Sequence, residues 1–264
     1  MALIQISSKY IPKQNRSRQE FTVIFYTQFT LLVKFIVLKN LLNINKESIM
    51  KTSILKSLAI LMLTFSAFAF ADAPKMGAEF DAVAQTITTD NPAKIEVMEI
   101  FWYGCPHCYH MEAPLNAWVK KLPSDVYFKR VPGLPNASWA PMAKAFYAME
   151  TLGVSEKLHT KLFEAIQKTK TLNPTDEKAA IEWVTAQSGL DKLKVEQAFK
   201  SFTINTNLNR AAQMFKASGA TGVPSLIIDG KFITSSTMSG GNEQALKTAD
   251  YIIENVRKDK TAKK

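Results

Sequence analysis

The sequence predicts an α/β domain interrupted by an all-helical insertion. Three observations predict it. Apolar runs of strand length stand on both sides of the middle of the chain, the stretch from Trp139 to about Ser218 keeps helical periods with almost no strand signal, and Asp229-Gly230 joins two short apolar runs as a hairpin turn would. With 264 residues, 47 % of them hydrophobic, the chain can enclose one large core or two small ones.

The elements follow in order. Phe80, Val83 and Ile87 within Glu79–Thr88 suit a short edge strand, and Thr89–Pro92 is a polar break. Lys94–Tyr103 alternates and then turns continuously apolar, as a buried central strand does. It stops at Gly104, and a helical pattern starts with Pro106 in its first turn, where a missing N–H costs nothing. Pro114 should kink that helix. Val126–Gly133 reads as another strand closed by a Pro/Gly turn, after which about five helices fill the insertion. Thr175-Asp176 are cap residues for the third of these and Gly189 closes it. Strands return in "PSLIIDGKFIT", and a last helix from Asn242 to about Arg257 leads into a charged, disordered tail. The expected division is 72–137 with 219–257 for the sheet domain, 138–218 for the helical insertion and 258–264 for the tail.

Charge is distributed unevenly. The formal net charge is +10, but residues 1–71 hold a net +7 and residues 72–264 only +3. The folded part is nearly balanced and its basic residues are scattered, so nucleic acid is not an expected partner. Lys51 and Lys56, an apolar run from Ser57 to about Phe68, and small residues at Ala69 and Ala71 make residues 50–71 a Sec-type signal peptide cleaved after Ala71. Residues 1–49 precede this complete signal and are read as a non-native upstream extension, with translation starting at Met50. The expected mature chain is exported, with 193 residues.

Both cysteines lie in "FWYGCPHCYHM", Phe101–Met111, with two of the three histidines. Haem attachment needs a histidine directly after the second cysteine, and position 109 is Tyr. A zinc site would have to use His107, crowded between Cys105 and Cys108, and no second cysteine pair exists, so no metal is expected. A structural staple closing so small a loop would constrain the unfolded chain little. Redox chemistry is the reading that remains strongest. Cys105 caps a helix, where unpaired N–H groups and the helix dipole favour thiolate over thiol, and His107 can add a donor or a positive charge. Cys108, one turn on, should be buried and act as the resolving thiol. His110 has no assigned role. A stabilised Cys105 thiolate favours the reduced protein, which makes the disulfide an oxidant and Cys105 a good leaving group.

These residues resemble the DsbA family of periplasmic thiol:disulfide oxidoreductases in the thioredoxin superfamily. "EIFWYGCPHC" and "GVPSLIIDGKF" (Gly222–Phe232) carry the resemblance, which extends from about Glu79 to Val256. It implies a thioredoxin-like fold with a helical insertion, and a periplasmic enzyme that donates its Cys105–Cys108 disulfide to newly exported proteins. It further implies catalytic roles for Cys105, Pro106, His107 and Cys108, and a cis Pro224 beside Cys105 with the Val223 backbone open to a client peptide. Glu99 matches the family's buried acidic residue and is expected to shuttle protons to Cys108. The implied partners are unfolded or reduced exported proteins and a quinone-linked membrane reoxidant, DsbB; a monomer without cofactor is expected. A disulfide isomerase or reductase on the same fold, and a non-catalytic chaperone, are the alternatives.

Overall fold

The computed structural model describes residues 73–262 and the single position Lys34. Apart from Lys34, the expected upstream extension, the expected signal peptide and its cleavage point at Ala71 lie outside the described residues. In chain order come β1 (Phe80–Ala82), β2 (Ile95–Phe101), α1 (Pro106–Val119) and β3 (Val126–Pro132). After a 3-10 turn at Ala137–Trp139 follow α2 (Ala140–Thr151), α3 (Ser155–Phe163), a π-helical turn (Glu164–Lys168), α4 (Glu177–Ser188), α5 (Lys192–Phe199) and α6 (Phe202–Ser218). Then β4 (Ser225–Ile228), β5 (Phe232–Ser235), the short α7 (Ser236–Ser239) and α8 (Asn242–Ala262) complete the chain.

The sheet order is β1-β5-β4-β2-β3. The β2–β3 pair is parallel, as a strand–helix–strand crossover requires, while β2–β4, β4–β5 and β1–β5 are antiparallel. All seven residues of β2 are buried, because helices cover both faces of the sheet. Ile95 and Val97 join Leu115, Ile252 and Ile253 of α1 and α8 on one side. Met98 and Ile100 join Ala211 and Met214 of α6 on the other. Phe101, at the end of β2, packs instead into the core of the helical block, with Phe146, Leu158, Phe163 and Cys108. The fold is the thioredoxin-like α/β arrangement with an inserted helical block, α2 to α6, between β3 and β4.

Local chemistry explains the boundaries. Asp176 accepts from the Ala179 N–H at the start of α4, and Gly189 ends it in the left-handed region at φ 74. Asp229 (φ 53) and Gly230 (φ 65) form the β4–β5 turn, and a Cβ on Gly230 would sit 1.8 Å from the Ile87 carbonyl oxygen.

Two expectations are corrected. The strand expected over Glu79–Thr88 is only three residues long. Beyond it Val83, Gln85 and Ile87 donate to Lys231, Ala217 and Gly230, so that stretch bonds to the β4–β5 turn and the end of α6 instead of a ladder. The disordered tail expected from residue 258 is helical to Ala262. Lys260 anchors it, with Nζ 2.7 Å from the buried Asp229 carboxylate and 2.8 Å from the Lys94 carbonyl oxygen.

Candidate active site

β2 delivers the chain to a tight turn in which the Cys105 N–H donates to the Trp102 carbonyl at 3.0 Å. Pro106 then opens α1, with Cys105 as its N-cap residue. The Trp102 indole lies against Gly104, and a Cβ there would come within 2.4 Å of the ring, so a larger residue would have to displace it. That indole stacks on Trp139 at 4.1 Å and 7°, joining the turn to the start of the helical block.

Pro106 and His107 are exposed, Cys105 is half-buried and Cys108 is buried. The two sulfurs are therefore unequal. Hydrogen bonding from the Cys108 thiol lowers Cys105 to about 6, against the cost of burial. The backbone N–H groups of Cys108 and His107 and the His107 charge act in the same direction. Burial pushes the Cys108 thiol well up, helped by the same bond and by the charges on Cys105 and Glu99. Cys105 Sγ also lies 3.4 Å from the Val223 carbonyl oxygen, and the Val223–Pro224 peptide is cis. The structure thus brings Cys105, Pro106, His107, Cys108, Val223 and Pro224 together. His110 is exposed on α1.

Glu99 is fully buried, and burial raises it to about 7 despite Arg130, whose Nε donates to Oε2 at 2.9 Å. Oε1 receives no hydrogen bond from the described residues, so a proton on Glu99 has a free oxygen to occupy.

Sequence reasoning missed the polar chain behind this site. Arg130 Nη2 reaches Glu112 at 3.2 Å and Asn116 at 2.7 Å. Burial opposes ionisation of Glu112, but His159 and Arg130 outweigh it and hold its carboxyl low. Burial holds His159 below the ordinary imidazole value. A neutral ring that donates from Nε2 to Glu112 at 3.3 Å leaves Nδ1 to accept from the Tyr103 hydroxyl at 2.6 Å. Glu112 was the findable member, since it lies four residues after Cys108 on the buried face of one helix.

The DSBA-like thioredoxin domain model matches residues 128–251. The thiol:disulfide interchange protein DsbA of Pseudomonas aeruginosa is 36 % identical over 208 residues, covering 79 % of this chain and 98 % of that protein. The protein of the same name from Azotobacter vinelandii is 39 % identical over 183 residues, covering 69 % and 85 %. Among solved structures, Pseudomonas aeruginosa DsbA matches with a TM-score of 0.67 at 36 % identity, covering 74 % of this chain and 99 % of that one. The DsbA oxidoreductase of Xylella fastidiosa matches with 0.65 at 26 %, covering 70 % and 98 %.

Proposed function

The chain belongs to the DsbA family of thiol:disulfide interchange proteins, and from that premise we propose how its residues form disulfide bonds in other proteins. In the oxidised enzyme a client thiolate attacks Cys105 Sγ. The Cys105–Cys108 bond breaks, a client–Cys105 mixed disulfide forms, and Cys108 leaves and takes up a proton. A second client thiolate then attacks the client sulfur, and Cys105 departs as a thiolate. Two electrons have moved from client to enzyme. The observation that carries this direction is the inequality of the two sulfurs, since a low Cys105 makes that group a good leaving group and favours the reduced enzyme.

Glu99 fits a proton carrier to Cys108, being buried, raised to about 7 and felt electrostatically by that sulfur. Val223 and Pro224 fit a docking edge for an extended client segment beside Cys105. The setting is the periplasm, the clients are newly exported chains, the enzyme acts as a monomer, and a quinone-linked membrane protein of the DsbB type restores the disulfide.

Melting the reduced and oxidised forms tests the direction. The reduced form is expected to be the more stable; a more stable oxidised form overturns it.

A further inference from the structure

The turn that presents Cys105 has a weak point at its central peptide, Tyr103–Gly104. In a four-residue turn closed between Trp102 and Cys105, that peptide makes no bond inside the turn. Gly104 does not have positive φ here, yet glycine at this third position admits the flipped form of the turn at little steric cost. Flipping would send the Tyr103 carbonyl to the opposite face and change the backbone leading into the nucleophile.

One side chain opposes the flip. Gln167, half-buried in the π-helical turn, donates from Nε2 to the Tyr103 carbonyl oxygen at 2.7 Å. The wide turn is closed by the Thr169 N–H on the Glu164 carbonyl at 2.9 Å. Such turns concentrate where function needs a side chain displaced from regular helical spacing. Phe163, four residues earlier, packs its ring on Tyr103 with centroids 4.7 Å apart, and His159 holds the hydroxyl. The helical block therefore grips Tyr103 by ring, hydroxyl and backbone, and only the backbone contact acts on the orientation of the peptide.

We propose that Gln167 is a positioning residue: its amide locks the Tyr103–Gly104 peptide and so fixes the geometry from which Cys105 reacts. The proposal rests on the disulfide-exchange reading for its effect on rate, but not for its effect on the turn.

The test is Gln167→Met, of the same length but without a donor, read by the Gly104 amide resonance and by the rate of oxidation of a reduced client peptide. A neutral hydrogen bond of ordinary strength predicts exchange broadening or a second Gly104 signal and a roughly fivefold slower oxidation. Unchanged Gly104 resonances overturn the proposal whatever the rate does. If wild type itself fails to oxidise the peptide, the disulfide-exchange reading fails while the Gly104 result still stands. Should Gln167→Met not fold, Gln167→Glu replaces it. Its ionised form lacks the donor and its protonated form restores one, so the second Gly104 signal should vanish on acidification; persistence at low pH is equally fatal.

Discussion

Glu99 and Arg130 stand directly opposite one another in the parallel β2–β3 register, and the 2.9 Å bond between them does not keep the carboxylate acidic. Burial wins, because Arg130 divides its guanidinium among Glu99, Glu112 and Asn116.

Glu99→Gln is therefore expected to alter the pH dependence of stability. A carboxyl raised in the folded state contributes stability that is present below its unfolded value and lost as pH rises through about 7. The variant should gain on wild type by about 2 kcal/mol between pH 5 and pH 8. Urea denaturation at the two pH values measures this, and parallel changes in both proteins would contradict it.

The unequal cysteines should also be readable in the redox potential. Below the Cys105 value of about 6 both thiols bind a proton on reduction, and above it only Cys108 does. The potential should fall by about 59 mV per pH unit below that point and by about 30 mV above it. Thiolate absorbance during titration of the reduced protein should show its midpoint at the same pH. A single slope through pH 8 would mean that Cys105 is not acidified.

The Tyr103–His159 bond, buried between sheet and helical block, should couple the two in a double-mutant cycle. Tyr103→Phe is expected to cost about 1–2 kcal/mol and His159→Ala about 2–4 kcal/mol. The double variant should be milder than their sum by about 1 kcal/mol, because the hydrogen bond can be lost only once. Additive losses would show that the two side chains contribute independently.

Cutting the chain after Arg257 tests the ordered end of α8. Asp229 is only 4 % exposed and keeps Lys231 when Lys260 is removed, so the loss should be about 1 kcal/mol. Thermal melts of the shortened and full chains decide it, and identical midpoints would mean that the last turns are dispensable.

Much of the frame was legible before any coordinates. The β2 run, the Asp229-Gly230 hairpin and the caps at Asp176 and Gly189 depend on neighbours in the chain, and local pattern reveals such features. The two sulfurs were legible too, since the helix start defines both positions. Arg130 was not: as a basic residue in a partly exposed strand it gave no signal, and only the register aligns it with Glu99. His159 drew no notice because its partners come from distant parts of the chain, the turn after β2 and α1. Gln167 depended on a wide turn that no residue pattern announces. Lys260 was misread because charge density alone suggested disorder, whereas its partner Asp229 sits in a turn 31 positions earlier.

The sulfur of Cys105 touches Val223 across a sequence separation of 118 residues. A chain that emerges from its N-terminus exposes both thiols long before the segment that completes their surroundings exists. Until α6 has appeared and β4 has added itself beside β2, Cys105 is an accessible thiol in an unfinished protein, open to pairing with any other. This donor of disulfides thus begins as a potential recipient of one.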